Sequence, residues 1–229
     1  SYDPLMTTYN VRVGRSDKAE GPFIDYFGKE LKDTTNNFPI LTAPYRFKNH
    51  PGWAGTAHCA VFTSDDGQYF MAHQGRLSPQ NQMMDLHVRQ VFFTKDGWPV
   101  VSPERYAGSN PREFSAADLV GEWEIIRVQE PLYERQLEAG QILWGEGELQ
   151  DGEWNMSHLL YLEKDGKLGE DKGTWDFARE DQSLQLTLDG EVVKNLIVFA
   201  GHDWENEAET VLFTGLDSRC LLYTSDAAD

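Results

Sequence analysis

The sequence predicts an all-β protein. Short apolar runs with strand-like alternation recur along the 229 residues, and turn signals separate them. No long window keeps apolar residues at the i, i+3, i+4 spacing of an amphipathic helix. Asp-Gly pairs at 151–152, 165–166 and 189–190 are strong hairpin signals in the second half. We therefore expect antiparallel strands joined by tight turns.

The first half is predicted to contain five strands. They are expected at 9–16, 57–63, 68–73, 87–93 and near Val100. Gly67 and Gly97 fall in two turns in which a glycine supplies a positive φ. A connection rich in Pro, Gly and Asn, at 17–50, separates the first two strands. A loop of that length is either functional or wrongly assigned.

The second half begins at 109–119, where the pattern of strand-like runs is interrupted before a new series of strands. Its strands are expected at 121–129, 141–149, 154–163, 172–178, 183–188, 191–199 and 210–214. Such a meander closes into a small antiparallel barrel or sandwich. Four tryptophans are expected mainly as core anchors, with a sugar-stacking face as the alternative: Trp123, Trp144, Trp154 and Trp175.

The charge balance restricts the classes of partner. The chain has 38 acidic and 20 basic residues, a net charge of −18 that repels nucleic acid and anionic lipid. No run approaches the roughly 18 to 20 apolar residues of a membrane span. We expect no nucleic acid, no membrane and a monomer. With two cysteines there is no disulfide framework, and Cys59 is expected as a small buried apolar residue.

One histidine is a candidate functional residue. A period of two places His58 on one face of its strand with Ala60 and Phe62, and residues 57, 59 and 61 on the other face. If the hairpin turns at 65–67, its open end brings His58 near 73–76. The imidazole is then either a hydrogen-bonded core group or a metal ligand. Acidic pairs are interpreted as solvated turn or strand residues: Asp65 with Asp66, Glu146 with Glu148, and Asp203 with Glu205.

Short motifs follow one another in a set order over residues 9–108. They are 9–16 (YNVRVGRS), 21–25 (GPFID), 55–58 (GTAH), 73–76 (HQGR), 87–90 (HVRQ) and 96–106 (DGWPVVSPERY). Their order and spacing resemble the last two blades of the five-bladed β-propeller of glycoside hydrolase family 43, in particular the endo-1,5-α-L-arabinanases. Motifs at 119–124 and 212–217 resemble the small β-barrel that follows this propeller in extracellular arabinanases. The resemblance implies a partial propeller at 1–113 and an accessory barrel at 114–219.

The resemblance implies hydrolysis of α-1,5-linked arabinofuranose with inversion. Inverting enzymes of this kind use a general acid and a general base about 6.5–9.5 Å apart. The family's general base Asp, tuning Asp and general acid Glu are all expected before Ser1. We therefore expect no catalytic residue in this chain, and no activity from it alone.

The resemblance also assigns roles to residues that are present. His58 matches an axial histidine that holds a hydrated calcium ion, although calcium prefers oxygen ligands. The family's usual His-Asn pair is His58-Cys59 here. Four residues fall at funnel-lining positions and are expected to bind the substrate: Tyr9, Asn10, Gln74 and Arg76. The implied partner is arabinan in pectin side chains, and the implied location is extracellular or periplasmic.

The last ten residues, 220–229, resemble a translated sequencing adapter and are expected to be non-native, which would leave the barrel without its final strand. Three other functions stay open. An exo-acting arabinofuranosidase or xylosidase of the same family is one. A noncatalytic carbohydrate-binding protein built on the barrel is the second. A barrel that binds apolar ligands in its lumen is the third.

Overall fold

The computed structural model describes residues 9–33, 37–78, 83–128, 155–188, 190–204, 206–218 and 222–228. The prediction of an all-β protein is confirmed, since these residues form strands and two short 3-10 helices. None of the helices in these ranges is long and apolar enough to cross a membrane. The predicted strand at 141–149, the turn at 151–152, Trp144 and Trp154 lie outside the described residues.

The strands are numbered in chain order. They are β1 (Val11–Arg12), β2 (Ile40–Thr42), β3 (Tyr45–Arg46), β4 (Trp53–Thr63), β5 (Tyr69–Leu77), β6 (Asp85–Phe93), β7 (Pro99–Val101), β8 (Gly121–Val128), β9 (Asn155–Met156), β10 (His158–Leu162), β11 (Lys167–Leu168), β12 (Gly173–Ala178), β13 (Ser183–Leu188), β14 (Glu191–Asp203), β15 (Ala208–Leu216) and β16 (Leu222–Ala228). The 3-10 helices span Ala116–Leu119 and Gly169–Asp171.

A six-stranded sheet dominates the first half, in the order β7-β6-β5-β4-β3-β9. Strands β4 to β7 form an antiparallel meander, the arrangement of one propeller blade. Two of its turns contain the predicted glycines, Gly67 at φ 84° and Gly97 at φ 80°. Strand β9 joins this sheet by parallel pairing with β3, although it lies within the range predicted for the barrel.

The long connection predicted at 17–50 contains regular structure. It holds β2 and β3, and β2 pairs with β1 in a separate two-stranded sheet. The sequence missed these strands because they are only three and two residues long, below the length at which alternation becomes visible.

The second half forms a closed antiparallel barrel in the order β10-β11-β12-β13-β14-β15-β16-β8. A cluster of buried side chains lies among these strands and includes Trp123, Leu160, Leu184 and Phe213. Trp123 is 1% exposed and Trp175 is 8% exposed, which confirms core positions for these two tryptophans. The Trp123 and Phe213 rings lie 5.2 Å apart.

The barrel has the final strand that the sequence was expected to lack. Residues 222–228 form β16, which pairs with β15 on one side and with β8 on the other. Backbone pairing of this kind depends on the two exposed strand edges more than on side-chain identity, which is why the segment's composition gave no sign of it. Whether the segment is native remains a prediction.

A second buried cluster joins the sheet to the outside of the barrel. Met71 and Val91 come from the sheet, Ile40 from β2, and Ile126 and Val128 from β8. Consecutive residues of β8 therefore serve different cores, with Ile125 in the barrel cluster and Ile126 in this one. The sheet and the barrel are packed against each other.

Candidate functional site

The candidate site is built on an irregular part of β4. Ala54 pairs with Arg76 of β5, Ala57 with Gln74, and Ala60 with Ala72. Between the first two of these pairs, and again between the last two, two residues of β4 lie opposite one residue of β5. This is the pairing of a β-bulge, so β4 contains two bulges. The prediction that Ala57 and Ala60 lie on opposite faces is therefore wrong, because the second bulge inserts an extra residue into the alternation.

His58 lies in the second bulge. Its φ is 56°, in the left-handed region, and Gly55 in the first bulge has a φ of 64°. The His58 side chain is exposed, and its Nδ1 lies 3.5 Å from the Tyr9 hydroxyl. The imidazole is therefore accessible to a ligand.

Cys59 is exposed, so the expectation of a buried apolar residue is wrong. From residue 58 to the end of β4 every residue is exposed. The reason is that β3 pairs with β4 only at Trp53, so the bulged half of β4 has β5 on one side and no paired strand of the described chain on the other.

The other predicted substrate residues differ in their surroundings. Tyr9, Asn10 and Gln74 are half-buried. Asn10 accepts a hydrogen bond from Arg12 Nε at 3.0 Å, and Gln74 lies opposite Ala57, the neighbour of His58. Arg76 is 1% exposed and its side chain lies against Gly55. The structure thus brings Tyr9 and His58 together, puts Gln74 next to them in the pairing, and encloses Arg76.

A buried polar cluster lies on the same strands. Arg89 is 3% exposed and donates from Nε to His73 Nε2 at 2.9 Å, from Nη1 to the carbonyl oxygens of Ser102 and Pro103, and from Nη2 to the Tyr45 hydroxyl at 2.5 Å. Because His73 Nε2 accepts from arginine, the ring proton sits on Nδ1, which donates to the Gln74 carbonyl at 2.8 Å. Burial and the Arg89 charge lower the pKa of His73 to about 3. This neutral histidine orients the backbone at Gln74.

His87 completes the cluster. It pairs with His73 across β5 and β6, is 1% exposed, and contacts the Trp53 ring edge-on at 4.4 Å. Burial, followed by the charge of Arg89, lowers the pKa of His87 to about 2. Neither ring nitrogen has a hydrogen-bond partner among the described atoms. The sequence offered one signal for this cluster: His87 and Arg89 are two residues apart in one strand, so they share a face of the sheet. The pairing of His73 with His87 was not predicted.

The donor set is sparse for a metal. Within the described ranges no three His, Cys, Asp or Glu side chains come together as a metal-binding group. Asp66 is engaged in its own turn, where it accepts from Gln68 Nε2 at 2.6 Å and from the Ser64 hydroxyl. Glu146, Glu148 and Glu205 lie outside the described residues. The site offers one imidazole, that of His58, so an ion held there would have to keep most of its water shell.

Comparison with known proteins gives a consistent family. Residues 103–222 match the family model GH43_C, described as a C-terminal lipocalin-like domain. The extracellular endo-α-(1→5)-L-arabinanase 2 of Bacillus subtilis is 29% identical over 147 residues, covering 56% of this chain and 31% of that protein. The extracellular exo-α-(1→5)-L-arabinofuranosidase of Cellvibrio japonicus is 26% identical over 95 residues, covering 42% of this chain and 25% of that protein. The chain therefore spans about a third or less of these relatives.

The fold is also that of a solved structure. The crystal structure of the endo-1,5-α-L-arabinanase from Thermotoga petrophila superposes with a TM-score of 0.80 at 19% identity. The superposition covers all of this chain and 51% of that one. At this identity the likeness establishes the architecture.

Proposed function

The chain belongs to the family of the GH43 C-terminal lipocalin-like domain, and from this premise we propose that it is part of a glycoside hydrolase that cleaves α-1,5-linked L-arabinofuranose in arabinan. The observation that carries the proposal is the accessible imidazole of His58, which lies in a bulge of β4 and beside the Tyr9 hydroxyl. The relatives named above are extracellular, which supports a secreted or periplasmic location. The proposed partner is the neutral polysaccharide, bound by a monomer.

The proposed chemistry divides the work between this chain and the rest of a longer protein. Hydrolysis proceeds with inversion, through a general acid and a general base that other segments supply. Within this chain, His58 is the residue that would hold a hydrated calcium ion, through a ring nitrogen, and its Nδ1 lies 3.5 Å from the Tyr9 hydroxyl. When bound, calcium would supply a fixed positive charge to the binding site.

The remaining predicted residues position the sugar. Tyr9 lies beside His58 and Gln74 lies opposite Ala57, the neighbour of His58, and they offer a hydroxyl and an amide to sugar hydroxyls. Asn10 acts beside them from the same segment as Tyr9. Arg76 is buried and does not reach the surface; it supports the site by packing against Gly55 in the first bulge of β4.

The test of the metal role is His58→Ala in the longer protein that contains this chain. We expect both the rate of reducing-sugar release from linear arabinan and its response to calcium chelation to fall together, because one side chain serves both. His158→Ala is the control, since His158 is an exposed histidine on β10 of the barrel. Unchanged turnover and unchanged calcium response in His58→Ala would contradict the proposal.

The 229-residue chain by itself provides a second test. We expect no release of reducing sugar from arabinan, because the acid and the base lie elsewhere. Measurable turnover by this chain that survives repurification would show that it holds its own catalytic carboxylates.

An exo-acting enzyme is the second candidate, because the Cellvibrio relative is an exo-acting arabinofuranosidase. The products of the longer protein separate the two. Endo action releases oligosaccharides of mixed length and lowers arabinan viscosity early, whereas exo action releases one small product and leaves the viscosity high.

A further inference from the structure

An aromatic loop at 21–29 forms an exposed surface of the first half. Four of its apolar side chains are exposed: Phe23 by 45%, Ile24 by 36%, Tyr26 by 37% and Phe27 by 49%. Large apolar groups concentrated on one short surface segment indicate an interaction site more often than chance exposure does. The role proposed for His58 leaves this loop unused.

The loop is held rigidly by the chain around it. Asp25 is 1% exposed, and its Oδ1 accepts from the backbone amides of Phe27 at 2.9 Å and Lys29 at 2.8 Å. Ile24 exchanges two backbone hydrogen bonds with Arg15, both of 2.9 Å. Rings presented from a fixed backbone lose little entropy when they bind, so the loop is preorganised.

The loop adjoins a polar cleft, because its residues Gly21, Pro22 and Ile24 line that cleft. Tyr26 packs against Trp98 with ring centroids 5.4 Å apart, and the Arg15 guanidinium lies 4.4 Å from the same Trp98 ring. Arg15 then lines a surface cleft of about 490 Å³ together with Ser16, Asp17, Lys18 and Ile24. The exposed loop thus adjoins hydroxyl, carboxylate and cationic groups, and Ile24 belongs to both the loop and the cleft, whereas Trp98 itself is buried.

This combination matches the chemistry of a neutral sugar chain. Pyranose and furanose rings present C–H groups to aromatic faces and hydroxyls to side chains that donate or accept hydrogen bonds. Anionic polymers are disfavoured by the net charge of −18. We propose that the 21–29 loop and the adjoining cleft form a second binding site for a neutral polysaccharide, separate from the His58 site.

The two sites lie on different strands of the sheet. The loop packs on Trp98, in the turn between β6 and β7, whereas His58 lies in β4, and β5 and β6 come between β4 and β7. The choice of arabinan as the polymer rests on the proposed function. The binding site itself rests on the loop and the cleft.

The test is affinity electrophoresis of the 229-residue chain in native gels that contain linear α-1,5-arabinan. We expect retardation relative to gels without polysaccharide, and about tenfold weaker binding in Phe27→Ala, the equivalent of about 1.4 kcal/mol. Asp17→Asn, which changes the cleft and not the rings, is expected to weaken binding too. Tyr161→Ala is the matched control, because Tyr161 is 48% exposed on β10 of the barrel and Phe27 is 49% exposed.

The outcomes distinguish this inference from the proposed function. Retardation that disappears in His58→Ala and persists in Phe27→Ala would place all binding at the His58 site and overturn the inference. Retardation lost in Tyr161→Ala alone would place the binding site on the barrel and overturn the inference. The inference would also be overturned if Phe27→Ala abolished self-association of the chain and left retardation unchanged. Binding that depends on Phe27 would support the inference even if the longer protein failed to hydrolyse arabinan.

Discussion

His58 has a backbone conformation that its side chain does not favour. Its φ of 56° lies in the left-handed region, where a non-glycine residue costs about 1 kcal/mol or more. Strain of this kind at an exposed residue contributes nothing to core packing. It is accounted for if the bulge serves to present the imidazole, in agreement with the ligand role proposed for it.

The strain leads to a prediction about stability. His58→Gly is expected to be more stable than His58→Ala by about 1 kcal/mol, because both lose the imidazole and only glycine adopts a positive φ without a steric penalty. Equilibrium unfolding in urea measures the difference. Equal free energies of unfolding for the two variants would show that the left-handed conformation is not strained.

The two buried histidines predict a loss of stability in acid. An unfolded histidine has a pKa near 6.5, and burial lowers the pKa of His73 to about 3 and of His87 to about 2. Between pH 6.5 and 3 the unfolded chain binds more protons at these residues, so the free energy of unfolding falls as the pH falls. Going from pH 7.5 to 5 is expected to cost about 2 kcal/mol for each histidine.

Urea unfolding at the two pH values checks this expectation. His87→Phe keeps an aromatic ring beside Trp53 and should remove about half of the pH dependence. His158→Gln alters an exposed histidine and should retain all of it. A wild-type free energy of unfolding that is the same at both pH values would contradict the assignment of buried neutral imidazoles.

At the scale of the elements, β5 is packed too tightly for a larger residue at Gly75. A Cβ at that position would lie 2.9 Å from two atoms of the His87 ring. His87 has little room to move, because it contacts both Trp53 and His73. Gly75→Ala is therefore expected to destabilise the protein by about 1–3 kcal/mol in urea unfolding. The same substitution in a His87→Ala background removes the ring that the Cβ would meet, and so separates the steric clash from the loss of glycine flexibility.

The elements also show how far the sequence could predict the structure. The alternation and turn signals were sufficient for β5, β6, β8 and β13, because each is a regular strand of six or more residues. They failed at β4, because a bulge changes which face a residue occupies and leaves no mark in a pattern of apolar residues. The exposure of Cys59 follows from the same bulged half of β4 and was missed for the same reason.

The candidate site could be predicted in part. His58 and Tyr9 were singled out from sequence, and the structure places them within 3.5 Å of each other. The role of Arg89 was not found, because its four partners lie in β5, in the segment after β7 and at Tyr45, 44 residues earlier in the chain. Contacts over such separations are set by sheet order, which a linear pattern does not contain.

At the scale of the whole molecule, three kinds of contact join the sheet to the barrel. The shared cluster that includes Met71 and Ile126 is apolar. The Thr214 hydroxyl of β15 donates to the Val101 carbonyl at 2.8 Å, and Lys95 lies 2.7 Å from a carboxylate oxygen of Asp181. The buried contacts are expected to dominate, because an exposed ion pair contributes about 0–1 kcal/mol.

A fourth contact should be the most sensitive to mutation. The Arg105 guanidinium lies between two rings, 5.2 Å from Trp53 of the sheet and 4.9 Å from Trp204 of the barrel, and Trp204 Nε1 donates to the Arg105 carbonyl at 3.0 Å. Trp204→Ala removes one ring face and one hydrogen bond, and is expected to lower the free energy of unfolding by about 2 kcal/mol. It should also speed tryptic cleavage after Arg105 and Arg112, in the segment between the sheet and the barrel. Tyr161→Ala, an aromatic deletion at an exposed barrel site, should leave both measurements unchanged. A Trp204→Ala variant cleaved at the wild-type rate would show that the apolar cluster alone holds the two parts together.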